Sequence, residues 1–261
     1  MDWSKIKTIF IVTFLILDLF LVYQYTQKRN SNQLELMSET KVEDQLAEDK
    51  ITYVDLPKDP LKEAYITGKS KEFKEEDIKG LNKQTATLQD SKTITSKLKE
   101  AVHVPKNDKG YFFEEFLRTY ILEGQKYKYW KTDDKEKKIY FFQQYKGKNV
   151  FYNQNASLVL DINENSDIVS YTQTMLTDVS EMGGSQDIIT SLKALEALYL
   201  KNEIKQGSRV TKVELGYYNY TVLNTSAAGI QVIAPTWHFV VNGKDDYFVN
   251  AIEGQLIKID K

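Results

Sequence analysis

Residues 138–162 decide the fold, and their sequence is KIYFFQQYKGKNVFYNQNASLVLDI. Aromatic and β-branched residues dominate three short segments here, 138–145, 150–152 and 158–162. A hydrophobic period of two, rather than 3.6, is typical of half-buried β-strands. Lys146-Gly147 lies between the first two segments and is typical of a tight turn. The stretch therefore predicts consecutive antiparallel strands.

The same period extends outward in both directions. Further strands are predicted at 127–130, 168–176, 209–223, 231–241, 244–251 and 255–259. Turn-forming residues separate them, among them Asp133-Asp134 and Asn163-Glu164-Asn165, and Asn242-Gly243 is a strong signal for a hairpin. These segments predict antiparallel meanders.

Helices are predicted at 93–102, 111–122 and 186–205, where apolar residues recur at helical spacing. Gly183-Gly184 is expected to break the chain before the last helix. Ser185 is its expected N-cap, Asp187 falls in the first turn, and Gly207 ends it. Helices beside antiparallel sheets make the predicted fold class α+β.

The order of a helix followed by a meander occurs twice, which favours two similar helix-plus-antiparallel-sheet units at 51–182 and 183–261. Gly147-Lys148 matches Gly243-Lys244 in an overlay of the two. With one extra residue in the second copy, Phe151, Asn153 and Ile162 match Phe248, Asn250 and Ile259. Hairpins share such residues by chance, so chance similarity is the alternative to duplication.

Three other segments complete the predicted organisation. Residues 30–50 form a helical or loose stalk, because apolar positions are widely spaced among polar ones. Residues 51–56 form a strand that Pro57 stops. Residues 68–92, rich in Lys, Glu, Asp and Gln, are expected to be irregular surface structure.

The N-terminal part, 1–29, is predicted to be a short cytoplasmic tail and a transmembrane anchor. Residues 8–25 read TIFIVTFLILDLFLVYQY, which as a helix would rise about 27 Å, close to the thickness of a hydrocarbon core. Basic residues flank both ends, so their count does not fix the orientation. The alternative is a cleaved signal peptide, which the following VYQYTQKRNSN disfavours because it has no small-residue cleavage site.

Asp18 is the one ionisable residue within this apolar run. A carboxylate at the centre of a bilayer costs about 2.5–3.5 kcal/mol and usually faces protein. On a helix it shares a face with four other residues, and this set is the predicted partner-binding surface: Ile11, Phe14, Asp18, Val22 and Tyr25. The competing interpretation is a tolerated charge that protonation or local thinning of the bilayer relieves.

Composition excludes several functions. The chain of 261 residues has a net charge of −2, which argues against a nucleic-acid-binding surface. It has no cysteine, so neither a thiolate nucleophile nor a cysteine-ligated zinc site can exist. No catalytic residue, metal site or cofactor is predicted.

The candidate catalytic patterns are weak. His103 and His238 are far apart and lack an HExxH context, so surface or strand histidines are expected rather than metal ligands. Ser96-Lys-Leu-Lys99 matches the S-x-x-K spacing of penicillin-recognising enzymes, but their S-D-N and K-T-G elements are missing. Gly183-Gly-Ser185 could cradle a phosphate, although a linker with an N-cap explains it as well. The acidic pairs Asp133-Asp134 and Asp245-Asp246 are expected to be solvated turn residues rather than calcium ligands or a carboxylate couple.

The N-terminus MDWSKIKTIFIVTFLILDLFLVYQY resembles that of YycI proteins from low-GC Gram-positive bacteria. The specific features are Trp3, the lysines, the Thr8-Ile-Phe10 segment and LDLFL around Asp18. The closing segment, from Pro235-Thr-Trp237 through Gly254-Gln-Leu-Ile257, is similar to a PepSY-type hairpin.

This resemblance implies a single-pass protein of the cell membrane whose C-terminal domain is extracytoplasmic. It implies association with a YycH-like protein and with the sensor histidine kinase YycG, also called WalK, whose activity on cell-wall metabolism genes the family regulates. It also implies a duplicated α+β unit and no catalytic residues.

The sequence thus predicts a non-enzymatic regulator that acts by contact at the membrane. An extracytoplasmic sensor module that binds a cell-wall fragment or an ion is the first alternative, and a preformed apolar pocket with convergent polar groups would favour it. A cell-wall hydrolase or inhibitor domain is the second, and a cleft holding two carboxylates at catalytic distance would favour that one.

Overall fold

The structure, a computed structural model, describes residues 3–57, 61–107, 109–219 and 230–258. For residues 4–6, 8–9, 24–40 and 109 it describes the backbone alone. The chain divides into two compact units. The first contains Met1–Thr52 with Ile204–Arg209, and the second contains Tyr53–Glu203 with Val210–Lys261.

The first unit contains one long helix, α1, which spans Trp3–Glu48. The predicted stalk therefore has a helical backbone almost throughout, and Val42 and Leu46 in it are buried. After the helix, Ile51 donates its backbone N–H to the carbonyl of Leu46 at 2.8 Å, and Gly207 donates to Asp49 at 2.9 Å. Among the described residues, no helix is long and apolar enough to cross a membrane. The membrane anchor stays a prediction.

The remaining elements alternate between short helices and strands. The strands are β1 (Thr52–Tyr53), β2 (Lys62–Ser70), β3 (Gln84–Gln89), β4 (Thr93–His103), β5 (Tyr127–Asp133), β6 (Lys138–Tyr145), β7 (Lys148–Phe151), β8 (Ser157–Ile162), β9 (Asp167–Gln173), β10 (Leu176–Asp187), β11 (Arg209–Asn219), β12 (Ile230–Val241), β13 (Asp245–Asn250) and β14 (Leu256–Ile257). The helices are α2 (Glu75–Lys79), α3 (Lys109–Tyr120) and α4 (Ser191–Leu200), with a 3₁₀ turn at Gly124–Lys126. The predicted α+β class is confirmed.

The described strands form one sheet in the order β10-β2-β12-β11-β7-β6-β8-β9-β4-β3, with β5 beside β6 and β13 and β14 continuing from β12. β7 pairs with β11 in parallel, with Val150 opposite Tyr217, whereas β11 with β12, β6 with β7 and β6 with β8 are antiparallel pairs. The predicted turns are present, since β6 pairs with β7 around Lys146-Gly147 and β12 pairs with β13 around Asn242-Gly243. A helix precedes each meander, α3 before β5 to β9 and α4 before β11 to β14. The duplication itself stays a prediction.

The helix predicted at 93–102 is wrong, because this segment is β4. Ile94 and Leu98 are four residues apart. Residues at this spacing share one face of a helix, and they also share one face of a strand. Ser96 between them is buried as well, so the real period is two. The irregular structure predicted for 68–92 is also wrong, because α2 and β3 lie there. In β3 only Ala86 and Leu88 are apolar, and this short alternation is a weak signal among Gln and Thr.

The predicted start of the last helix is also wrong. Gly183-Gly184 lies inside β10, which continues to Asp187, so the predicted division between residues 182 and 183 falls within a strand. The N-cap of α4 is Thr190, whose hydroxyl accepts the backbone N–H of Lys193 at 3.2 Å, and not Ser185. The isoleucines before it lie outside the helix: Ile188 donates its N–H to the carbonyl of Leu61 at 3.1 Å, and Ile189 donates to that of Ala251 at 2.8 Å.

The main core forms where α3 packs on the sheet. Phe113, Phe116 and Leu117 from the helix lie in one buried cluster with Phe141 and Tyr171. Sheet side chains also hold the C-terminal end of α3. The carbonyl of Tyr120 accepts hydrogen bonds from the amide of Gln84 at 2.8 Å and the hydroxyl of Tyr171 at 3.2 Å. These bonds satisfy helix-end carbonyls that have no partner within the helix.

A buried amide takes the place of a strand next to β10. The side chain of Gln143 in β6 donates to the carbonyl of Leu176 at 3.0 Å and accepts its backbone N–H at 2.8 Å. This is the pair of bonds that a neighbouring backbone would supply. Since Gln143 and Leu176 are both buried, no water replaces them easily.

We expect Gln143→Ala to lower the free energy of unfolding by about 2–4 kcal/mol, because two buried backbone groups of Leu176 would lose these partners. Urea denaturation of the full chain in detergent, followed by tryptophan fluorescence, measures the change. Gln154→Ala, at an exposed glutamine of the neighbouring turn, is the matched control and should shift stability by less than about 0.5 kcal/mol. Equal effects of the two substitutions would contradict this role of Gln143.

Candidate functional site

The residues predicted to bind a partner lie on α1. Ile11, Phe14 and Val22 are 66%, 56% and 59% exposed, and Asp18 is exposed between them. At a period of 3.6 residues they share one face of the helix with Tyr25, whose side chain is outside the described residues. The structure brings the face together as predicted, while its contact with a partner stays a prediction.

This face contains a shallow, open depression. Phe10, Ile11, Phe14, Leu15 and Asp18 line it. The rings of Phe10 and Phe14 stack with their centres 5.9 Å apart, so one wall is aromatic. Chemically, the depression offers an apolar contact area with one carboxylate at its edge, which suits a second apolar helix carrying a hydrogen-bond donor better than a small polar ligand.

A second polar site surrounds His238 in β12, whose side chain is fully buried. Strand register positions its partners: Glu214 of β11 is directly opposite, and Asp246 of β13 is diagonal to it. The Nδ1 atom lies 2.9 Å from Oε1 of Glu214, and Nε2 lies 2.8 Å from Oδ1 of Asp246. The histidine is therefore clamped between two carboxyl groups.

Aromatic rings close the remaining sides of His238. The ring of Phe248 stacks on the imidazole at 4.7 Å, and those of Trp130 and Phe151 lie at 4.8 and 5.2 Å. Each nitrogen of the imidazole faces one carboxyl oxygen, so both hydrogen-bonding positions of the ring are occupied.

Glu214 is the charged centre of this group. Burial alone would raise the pKa of its carboxyl, but hydrogen bonds from His238 and Lys212 outweigh burial and lower the pKa below its usual value. The Lys212 ammonium lies 2.8 Å from Glu214 and 5.5 Å from the centre of the Trp130 ring. The arrangement fixes β11, β12 and β13 to one another and gives His238 no free nitrogen for proton transfer or metal binding.

A strand was correctly predicted for His238, but its two carboxylate partners were not. The prediction that Asp245-Asp246 are solvated turn residues is wrong, because both lie in β13 and Asp246 bonds to His238. The register of three strands brings Glu214 and Asp246 to the histidine. Within the part of the chain that the structure describes, no three His, Asp or Glu side chains are grouped to hold a metal ion.

The other candidate patterns are not brought into catalytic arrangements. Ser96 and Lys99 lie on a strand, where residues three apart point to opposite faces. Ser96 is buried and its hydroxyl donates to the carbonyl of Thr85 at 3.4 Å, whereas Lys99 is exposed. Asp133 accepts the backbone N–H groups of two turn residues at 3.0 Å, which is the predicted turn role. His103 is exposed and lies 2.7 Å from Asp167.

Two residue pairs of the overlay are buried in both members. Phe151 and Phe248 are both fully buried, and their rings contact each other at 5.1 Å. Asn153 and Asn250 are both buried, and each side-chain oxygen accepts the backbone N–H of the residue two positions later at 2.9 Å. Ile259, the last matched position, lies outside the described residues.

The lowered pKa of Glu214 predicts an acid-dependent loss of stability. A carboxylate whose pKa falls on folding stabilises the protein above its unfolded pKa, about 4.3, and this contribution is lost as the pH falls through the lower folded value. We expect Glu214→Gln to be less stable than the wild type at pH 7, with the difference shrinking below about pH 4.3. Thermal unfolding of both proteins between pH 7 and 3 measures it.

Glu164→Gln is the control for this comparison. Glu164 lies 3.1 Å from Lys137, but its side chain is 86% exposed, so its loss should have a small effect that is nearly independent of pH. A Glu214→Gln difference that stays constant over the same range would contradict the assignment.

Comparison with known proteins gives no match among curated sequences. Among solved structures, an uncharacterised protein from Eubacterium rectale is similar, with a TM-score of 0.45 and 13% identity over 81% of this chain and 92% of that one. YycH from Bacillus subtilis has a TM-score of 0.44 and 13% identity over 77% of this chain. The match covers 54% of YycH, so this chain spans about half of that protein. The C-terminal domain of Bacillus megaterium YpeB has a TM-score of 0.42 and 12% identity, over 68% of this chain and 81% of that domain.

The family comparison is decisive because it covers most of the chain. The model of the YycI protein family matches residues 30–252, which include the described strands from β1 to β13 and the hairpin that contains His238. The apolar residues 8–25, which prompted the resemblance, lie outside the matched range, so the match is independent of them. This chain belongs to the YycI family.

Proposed function

We propose that this chain is a non-enzymatic accessory regulator of a two-component system that controls cell-wall metabolism. It acts together with a YycH-like protein, by contact with the sensor histidine kinase YycG/WalK. The observation that carries the proposal is membership of the YycI family over residues 30–252. Regulation by contact requires exposed, specific surfaces and no reacting groups.

The proposed location is the cell membrane, with α1 as a single-pass anchor and the C-terminal domain outside the cytoplasm. Support comes from the side chains of α1: large apolar residues from Phe10 to Val22 are about half exposed or more. Such a surface is unfavourable in water, whereas a lipid environment covers it at no cost. The family supplies the orientation.

A contact mechanism also agrees with the use of polar residues in the second unit. His238 is clamped by Glu214 and Asp246, and the hydroxyl of Ser96 is bonded to a backbone carbonyl. Groups with both hydrogen-bonding sides occupied hold strands together and have no spare capacity for a substrate.

We also propose that the chain contains two similar α+β units, one with α3 and β5 to β9 and one with α4 and β11 to β14, with a PepSY-like hairpin in the second. The support is local: Phe151 and Phe248 occupy matching buried positions, and so do Asn153 and Asn250. In each case the asparagine accepts a backbone N–H in the turn after the strand.

Asp18 is the proposed contact residue within the membrane. A carboxyl group among Leu15, Leu17, Leu19 and Leu21 needs a partner, since lipid offers none. Its neighbours Ile11, Phe14 and Val22 provide the surrounding apolar contact. An interhelical hydrogen bond of this kind is worth about 0.6–2 kcal/mol, enough to bias assembly without determining it.

Topology is the first test of the proposal. Protease added to intact protoplasts should digest residues 30–261 and leave a protected fragment of the N-terminal helix. The same protease added to lysed cells is the control and should digest the large domain in either orientation. If the protease digests the large domain only after lysis, both the proposed location and the proposed regulatory function are wrong.

The second test concerns Asp18. We expect Asp18→Leu to insert normally and to reduce recovery of the YycH-like protein or the kinase from detergent extracts by about three- to tenfold, because the interhelical bond is lost. Asp18→Asn keeps hydrogen-bonding capacity and should be milder. Affinity capture of the tagged full chain, with partners identified by mass spectrometry, measures recovery, and a reporter of the kinase's target genes measures its output.

Thr13→Leu is the matched control, since it also converts a polar residue to leucine but lies about 140° around the helix from Asp18. It should leave recovery unchanged. Wild-type recovery and kinase output in Asp18→Leu would show that Asp18 makes no such contact.

A further inference from the structure

The two ends of the sheet differ in how open they are to another strand. At one end, β10 is irregular: its register with β2 shifts between Thr177 and Ser180 and again between Met182 and Gln186. Gly183 and Gly184 both have a φ of +77° there. Asp178 and Asp187 place charges along this edge, opposite Lys69 and Lys62. Bulges and charges of this kind prevent strand addition.

At the other end, β3 has none of these features. Its sequence, QTATLQ, contains no charge, proline or glycine. Its register with β4 is continuous over six pairs, from Gln84 opposite Leu98 to Gln89 opposite Thr93. Among the described strands, β3 ends the order of the sheet, so nothing described pairs with its outer side. A flat, uncharged edge strand is a template for pairing with another chain.

The hydrogen-bond phase identifies which backbone groups point outward. Lys99 donates its N–H to the carbonyl of Lys83 at 2.9 Å, so this opposite pair is a hydrogen-bonded one. Such pairs alternate in an antiparallel ladder, which directs the backbone groups of Thr85 and Thr87 toward β4. The N–H and C=O groups of Gln84, Ala86 and Leu88 therefore point away from the sheet.

This edge is complementary to itself. In an antiparallel pair of β3 strands, residues whose backbone groups point outward must lie opposite one another. A two-fold axis at Ala86 meets this condition, because it places Ala86 opposite its own copy and Gln84 opposite Leu88. Thr85 then lies opposite Thr87 of the second copy on the exposed face, and threonine pairs stabilise adjacent strands. Ala86 and Leu88 pack against the main core, so pairing extends that core across the axis.

Charge at the ends of β3 favours the same orientation. Lys83 precedes the strand and Asp90 follows it, and both are exposed. Antiparallel pairing brings the lysine end of one copy beside the aspartate end of the other, whereas parallel pairing would place like charges together. We propose that a second copy of this chain adds to β3 across a two-fold axis at Ala86 and forms a continuous sheet through both copies.

The absence of cysteine from the chain allows a direct test in the full-length protein in the membranes of expressing cells. Ala86→Cys places two sulfurs across a hydrogen-bonded antiparallel pair, where the Cα atoms are about 5.5 Å apart and a disulfide can form. We expect mild oxidation to give a covalent dimer on a non-reducing gel. Coexpressed Thr85→Cys and Thr87→Cys chains should also crosslink to each other.

Two controls define the register. Leu88→Cys lies on the same strand, but its copies would be four residues apart across the axis, too far for a disulfide, so it should give about a tenth of the Ala86→Cys dimer or less. Ser180→Cys on β10 tests the irregular edge and should also fail to dimerise. Three outcomes would overturn the proposal. Ala86→Cys could give no dimer, Leu88→Cys could give an equally strong dimer, or Ala86→Cys could crosslink to a different protein instead of its own copy. A Leu88→Pro chain carrying Ala86→Cys loses an outward-pointing N–H and should lose the crosslink, and circular dichroism checks that it remains folded.

Discussion

The close approach of β7 to β11 is the constraint on which the sheet of the second unit depends. It is the parallel pair through which the strands around β6 connect to the strands around β12. Gly216 in β11 makes the approach possible: a Cβ atom there would lie 2.2 Å from the ring of Phe151 and 2.7 Å from the carbonyl oxygen of Asn149. Any side chain at this position would have to push β7 away. The aromatic cluster of Phe142, Phe151 and Phe248 forms directly beside this contact, so the same glycine that joins the strands also brings the rings around His238.

Regular strands could be predicted from the sequence because their signal is local. The alternation in 138–162 correctly gave β6, β7 and β8, and Asn242-Gly243 gave the β12–β13 hairpin. Two other signals were ambiguous for physical reasons. Apolar residues four apart in β4 suit a helix and a strand alike, and two glycines in β10 mark a bulge here rather than a chain break. Local patterns cannot separate these cases, because tertiary pairing decides between them.

The polar interior could not be predicted from local patterns at all. Gln143 and Leu176 are 33 residues apart, and His238 and Glu214 are 24 apart, yet each pair is in hydrogen-bond contact. Their partners depend on register, and a shift of one residue would turn each side chain to the other face. The sequence could identify the face of α1 that contains Asp18, since that face follows from the helical period alone. It could not give what that face contacts, because no local pattern encodes a partner.

Buried polar groups that are fully paired shape what the protein can do. The hydrogen bonds of His238 to two carboxyl groups, and those of Gln143 to the backbone of Leu176, favour one strand register. A shift in register would leave several buried polar groups without partners. The result is a specific, rigid sheet. Rigidity of this kind suits the contact function proposed above, since a surface that keeps its shape loses little conformational entropy when a partner binds.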